Sequence, residues 1–489
     1  LTTEVTCVKP LREELKTSMK NGKVTFAVIV GTRGFFNPQL AAAGRKEIIS
    51  LLETEGYNYV IIDSDAGSSG LVESYEDAKI CASMFRAKRD SIDGIVVILP
   101  NFGDELGIVN TLKLADLNVP ILVQASNDEN DKVDVARRRD AFCGKISVCN
   151  NLYQYGIPFT NTSSHTCDID SYEFNADLNR FAAVCRVVSG VKGARIGAIG
   201  ARPAAFQTVR FSEKLLQSSG VTVVPVDLSE IIAAAQKLDA GGGAVKAKLD
   251  SIAGYGKIAP GIQSDQIERQ AKLSVVIENF VEQNELDATA IQCWDSIQYN
   301  YGCASCLSMS MMGEDGKPSA CEMDVAGALS MLVLRLASGN APGFLDWNNN
   351  FSYEDEKCVC THCSNYPSSF MGTQVEIGEL DIIGATVGRE KCFGAVKGKV
   401  AVGDMTYFRL STDDARGCIK AYGGEGDFTD DPYPMDGGIA VCHVPGLNKV
   451  MNHICTEGFE HHVAMTRGHY EDVIEEALLK YLKWDYKSL

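Results

Sequence analysis

A chain of 489 residues is too long for one hydrophobic core and predicts two or three domains. Its 45% hydrophobic and 22% charged residues are those of a folded globular protein and exclude a disordered chain. A formal charge of −18 argues against nucleic acid or an anionic membrane surface as a partner and leaves an enzyme of small molecules as the fitting class.

The first twenty residues are charged, with no apolar core of a leader, and no stretch reaches the length of a membrane span. Val24–Gly31 is an apolar run ending in a Gly-rich turn, followed by a helical pattern through Ala41–Glu55. Tyr57–Asp63, Gly94–Leu99 and Val119–Ala125 repeat the theme, which predicts a doubly wound parallel sheet. A second series begins at Arg195–Gly200 and continues through Val221–Val226 and Ala288–Cys293, with Asp168–Asp177 as the junction. After Asp346 the texture becomes β-rich, in Val375–Ile383, Lys397–Val402, Thr406–Leu410 and Gly438–His443, as in a small antiparallel sheet or barrel. An amphipathic helix is predicted from about Tyr470 to Trp484. The expected fold is therefore α/β: two doubly wound parallel-sheet domains (1–168 and 169–345), then a β-rich C-terminal domain with a terminal helix (346–489).

Seventeen cysteines are many, but their number is odd and their spacing irregular. Cys185, Cys293 and Cys442 sit inside apolar runs as small buried hydrophobes, so a reducing compartment, the cytoplasm, is expected. Gly31-Thr32-Arg33-Gly34 and Gly197-Ala198-Ile199-Gly200 follow predicted strands but lack the dinucleotide fingerprint, so no organic cofactor is expected.

The densest chemistry lies between Cys321 and His362, with His461-His462 downstream. Glu322, Asp346 and His362 come from three separate segments and form an oxygen-and-nitrogen set of the kind a divalent cation takes. Each has a plainer reading. Ser319-Ala320-Cys321-Glu322 has the spacing of a capping box before an apolar helix, Asp346 suits a turn, and paired histidines suit a surface. Cys358, Cys360 and Cys363, with Cys303 and Cys306 upstream, leave a structural zinc as a further alternative, although the spacing is not that of a zinc ribbon.

The block from Cys293-Trp294 through Glu314-Asp315-Gly316, Ala320-Cys321-Glu322-Met323-Asp324, Asp346 and His362-Cys363 to Pro367 resembles the L-fucose/L-arabinose isomerase superfamily. The loop Gly200-Ala201-Arg202-Pro203, with Phe206 and Thr208, and the segment Gly458-Phe459-Glu460-His461-His462 match as well, and the domain order agrees. One departure is Ser364, where relatives carry Gly. The resemblance implies a metal-dependent aldose–ketose isomerase of a pentose, deoxyhexose or modified hexose, working through an enediolate. It implies Glu322 and Asp346 as ligands that also move protons, with His362, His461 and His462 completing the sphere of Mn²⁺, or of Mg²⁺ or Co²⁺. Substrate contacts are expected from Arg33, Asn101, Phe102, Arg202 and Trp294. The resemblance further implies a homo-hexamer or trimer in which the first domain serves a neighbouring subunit's site. Arg33, Arg202 and Arg210 near strand ends raise a second substrate class, a sulfonated deoxyhexose such as sulfoquinovose. A non-catalytic sugar-binding protein is the alternative of a different class.

Overall fold

A computed structural model of the protein describes residues 23–489, so the expectation for the first twenty residues lies outside the described residues. The chain divides into two compact units, one ending at Ser189 and one running from Gly190 to Leu489.

The first unit is built on a five-stranded sheet in the order Asn58–Ile61, Thr25–Val30, Gly94–Leu99, Ile121–Ala125 and Thr160–Asn161, with every pairing parallel. Its central strands are unbroken apolar runs because both faces are covered. Alternate residues divide between the two faces. Ala27, Ile29, Val97 and Leu99 pack with Phe85 and Ile108, while Phe26, Val28 and Ile98 pack with Phe174 and Phe181.

The second unit holds a four-stranded parallel sheet in the order Ser319–Ala320, Ala288–Ile291, Arg195–Ile199 and Thr222–Val226. It also holds a ten-stranded sheet whose members come mostly from after Gly343. Within the latter, Cys418–Phe428, Gly403–Asp413, His462–Arg467, Gly343–Asn350, Lys357–His362 and Gly438–His443 follow one another. The first and last of these also pair, at Asp427 with His443 and Phe428 with Cys442, closing a barrel. Asp485–Ser488 extends the sheet at one end. Phe393–Lys399, Glu376–Glu379 and Lys257–Ile258 extend it at the other. The helix Val325–Ser338 is buried along most of its length because it packs on the parallel sheet and on barrel strands Gly403–Asp413 and His462–Arg467. That double contact explains why the segment is apolar on all sides.

Three local expectations need correction. Ser319 and Glu322 form no capping box: Ser319–Ala320 is a strand, and the helix starts at Val325 with Asp324 as its cap. The strand predicted over Val375–Ile383 stops at Glu379 and gives way to a helix, Asp381–Val387. The terminal helix is real and buries Val473, Ile474, Ala477 and Leu478, but it widens into a π-helical stretch and a last strand follows it. Sequence reading also missed Cys418–Phe428, whose glycines look like a loop. There the backbone is approached too closely for a side chain: a Cβ on Gly424 would lie 2.2 Å from Tyr407 Oη, and one on Gly426 2.4 Å from the His443 carbonyl.

Candidate active site

The turn from Ala320 to Val325 carries the first site residue. Glu322 and Met323 are both left-handed, at φ 58° and 57°, a conformation that costs a non-glycine residue about 1–2 kcal/mol. The turn is held by Met323 N–H donating to the Ile291 carbonyl at 3.0 Å and by Asp324 Oδ1 accepting from Gly327 N at 2.7 Å. Trp294 Nε1 donates to Glu322 Oε1 at 3.0 Å, which fixes the carboxylate and directs Oε2 away from the indole. Gly327 lets the helix close on the neighbouring strand, since a Cβ there would lie 2.5 Å from the Phe344 ring.

The barrel supplies the rest. Asp346 and His462 are directly opposed across an antiparallel pair, so their side chains leave the same face. The adjacent pair, Leu345 and Val463, enters the barrel core, which leaves Asp346 and His462 on the other face, beside the start of the helix. His362 is the last residue of its strand, and Phe344 packs against both imidazoles, at 5.4 Å from His362 and 4.8 Å from His462. After His362 the chain turns at Ser364, where φ is 68°. This is the position at which the family resemblance leads one to expect glycine. Its Oγ accepts from Gly438 N at 2.9 Å, so the serine anchors the turn it strains.

Five side chains converge. His462 Nε2 lies 2.8 Å from Glu322 Oε2 and 3.5 Å from Asp346 Oδ1. His362 Nε2 lies 3.6 Å from Glu322 Oε2 and 3.7 Å from Asp346 Oδ1. His461 Nε2, more exposed, approaches Asp346 Oδ1 to 3.8 Å. Glu322 Oε2, Asp346 Oδ1, His462 Nε2 and His362 Nδ1 are buried without a hydrogen-bond partner. Buried polar atoms are almost always paired, and acceptors converging without donors are what a cation satisfies. Two groupings could hold one: Glu322, His362 and His462, and Asp346, His461 and His462. Among the described residues no such grouping contains a thiolate, and the described cysteines are free. The zinc alternative thus finds no closed set. Cys358 and Cys360 instead lie 3.8 Å apart in the core, with Cys442 opposite Cys358.

Behind this layer lies a second one that sequence reading did not anticipate. His462 Nδ1 lies 2.8 Å from Asp324 Oδ2, which sets Nδ1 as the donor and leaves the Nε2 lone pair for the site. Arg409 is bidentate on Asp324, at 2.7 and 3.1 Å, and its Nε donates to Glu460 Oε2 at 3.1 Å. Ser411 Oγ donates to Glu460 Oε1 at 2.7 Å. The signal was an arginine inside the apolar strand run Tyr407-Phe408-Arg409-Leu410, since a cation there must be paired.

The electrostatics follow from this packing. Burial raises the Glu322 carboxyl, but the His362 and His462 imidazoles outweigh it and hold Glu322 well below the usual carboxylate range. Burial pushes Asp346 up, against the pull of the same imidazoles. Burial lowers His462, yet the nearby Asp324 and Glu322 carboxylates raise it to about 9. A divalent cation would take over the imidazole protons' role and reverse that balance.

Of the expected substrate contacts, Trp294 is on Glu322, and Phe206 joins it, edge-to-face at 5.4 Å from Trp294 and 5.7 Å from His461. Arg202 lines a cavity of about 670 Å³ together with Met323 and Glu460. Arg33, Asn101 and Phe102 lie in the first unit. There Arg33 pairs with Glu105 and sits over the Phe102 ring at 4.2 Å, while buried Asn101 bonds Thr32 and Gly103.

Comparison with known proteins points to a family. The family model for the fucose/sulfoquinovose isomerase N-terminal domain matches residues 27–192, and that for the L-fucose isomerase C-terminal domain matches residues 360–489. The two stretches flank Glu322 and Asp346, and the second contains His362, His461 and His462. The chain is 26% identical over 400 residues to a sulfoquinovose isomerase of Priestia megaterium, covering 80% of this chain and 84% of the relative. It is also 26% identical over 337 residues to a sulfoquinovose isomerase of Alkalicoccus urumqiensis, covering 65% and 72%.

Proposed function

The chain belongs to the fucose isomerase-like family and is an aldose–ketose isomerase, and from that premise we propose that it acts on a sulfonated deoxyhexose, sulfoquinovose or a close analogue. We propose Glu322, Asp346 and His462 as the principal ligands of its divalent cation, with His362 and His461 beside them. The observation that carries this reading is the convergence of Glu322 Oε2, Asp346 Oδ1 and His462 Nε2, all buried and without donors. The carboxylate and imidazole donors favour Mn²⁺, with Mg²⁺ or Co²⁺ as alternatives, over zinc.

Isomerisation moves one proton between C1 and C2 and another between their oxygens. When bound, the cation polarises the sugar oxygens and stabilises the charge that develops on them. Asp346 is the more open carboxylate, and burial pushes it toward the proton affinity a carrier needs, so it takes the carbon-bound proton and returns it to the neighbouring carbon. Glu322, fixed by Trp294, is anionic at rest, and it takes the hydroxyl proton from one sugar oxygen and passes it to the other. Phe206 and Trp294 pack edge-to-face beside this space.

We further read the protein as a cytoplasmic homo-oligomer, a hexamer or trimer, in which the loops bearing Arg33, Asn101 and Phe102 serve a neighbouring subunit. Support comes from the family resemblance and from Phe35 on the same loop, which is 72% exposed. The test of the function combines metal analysis with solvent-deuterium exchange into a panel of sugars. Exhaustive chelation should abolish exchange, Mn²⁺ should restore it better than Zn²⁺, and sulfoquinovose should be labelled fastest. Full activity after complete metal removal would refute the ligand assignment. A neutral sugar preferred over sulfoquinovose would refute the substrate.

A further inference from the structure

We propose that Arg202, assisted by Arg210, is a specificity-determining residue that holds the anionic group at the far end of the sugar. The proposal rests on the substrate reading above and adds the place where the charge is recognised.

Met323 and Glu460 line the same cavity as Arg202 and Arg210, and each is one residue from a proposed ligand, Glu322 or His461. Phe206, four residues from Arg202, packs on Trp294 and on the His461 ring, which ties the loop to the reacting end. On this proposal, a hexose held by C1 and C2 at Glu322 and Asp346 places its C6 substituent in this neighbouring space.

The arginines there differ from Arg33 and Arg409. Arg33 is paired with Glu105, and Arg409 with Asp324 and Glu460. Arg202 and Arg210 form no ion pair among the described residues. Arg202 Nη1 donates to the carbonyls of Pro203 at 2.9 Å and Ala204 at 3.3 Å, and Arg210 Nε donates to Gln207 at 3.0 Å. Each guanidinium is thereby folded onto its own loop with further N–H groups left over. Two arginines with spare N–H groups on one cavity offer donors to an outside anion. Glu460 does not compete, because Arg409 and Ser411 occupy both its oxygens. Asp414 also lines the cavity, at its solvent-exposed rim. A tetrahedral sulfonate, with three oxygens, suits several N–H donors offered in fixed forks.

The experiment compares kcat/KM for sulfoquinovose and for 6-deoxyglucose, its unsulfonated counterpart, in wild type, Arg202→Gln, Arg202→Lys and Arg210→Gln. Competition by inorganic sulfate against 6-deoxyglucose is measured alongside. Melting temperature and bound metal, followed in each variant, separate recognition from folding. Arg202→Gln should lower the sulfonated-to-neutral ratio by about 10- to 100-fold, with Arg202→Lys and Arg210→Gln lowering it less. Sulfate inhibition should weaken in the same order. An unchanged ratio in folded, metal-loaded Arg202→Gln, or no sulfate inhibition of wild type, would overturn the subsite. A wild type that prefers the neutral sugar, yet loses sulfate inhibition on Arg202→Gln, would uphold the subsite and refute the substrate reading instead.

Discussion

The inner and outer layers of the site are made of the same residue types and behave oppositely. Asp324 and Glu460, inside, have every oxygen engaged, by Gly327 N, Arg409, His462 and Ser411. Glu322 and Asp346, outside, each leave a buried oxygen with no donor. Glu322 and Asp324 are only two residues apart, so neither burial nor sequence position separates the roles. Completeness of hydrogen bonding does: a closed network gives rigidity, and an open one gives a receptor.

The sharpest way to break this contrast is to neutralise the outer carboxylates. Glu322→Gln and Asp346→Asn should each lower kcat by ~10²–10⁴-fold, the scale of lost acid–base function, with a folded chain. Steady-state rates and melting curves on the same samples decide it. A loss of stability with turnover retained would make Glu322 a structural residue.

The inner layer should answer in the opposite currency. Arg409→Gln leaves two buried carboxylates uncompensated and should cost about 3–5 kcal/mol in denaturant unfolding. Asp324→Asn keeps the shape but weakens the hold on His462. Metal affinity should fall ~10–100-fold, read by competition with a fluorescent chelator. Equal affinity in that variant would remove the positioning role.

The smallest effect is one of sign with pH. His462 is raised to about 9 from its ordinary 6.5. In chelated protein its stabilising contribution is complete below pH 6.5 and is lost as pH rises through 9. Glu322, held below its ordinary 4.5, contributes above that value and loses its contribution as pH falls. Chelated protein should therefore be most stable between these limits. With excess Mn²⁺ the alkaline limb should flatten or reverse, because deprotonated ligands bind the cation. Parallel denaturation profiles across pH, with and without Mn²⁺, read the two slopes.

The parallel strands were legible because runs such as Thr25–Val30 and Gly94–Leu99 are continuous and β-branched. Five converging side chains could be singled out as residue types in suggestive segments, but not their geometry. The Ser319–Glu322 spacing mimics a helix cap, and only the two left-handed residues after Cys321 show that the helix starts later. His461 and His462 are indistinguishable as adjacent letters. Strand pairing opposes His462 to Asp346, and Asp324 then orients its ring. Arg409 was hidden because its partners lie 85 and 51 residues away.

Barrel closure has a consequence for how this molecule meets other chains. Among the described residues, the ring leaves the large sheet with two free margins, a four-residue strand at Asp485–Ser488 and a two-residue strand at Lys257–Ile258. Neither is long enough to template an added strand, so the long hydrogen-bonded ribbons of the molecule are sealed against edge-to-edge polymerisation. Any assembly this sheet enters must be written in side chains, where charge and shape discriminate between partners, and not in backbone, where any extended peptide would serve.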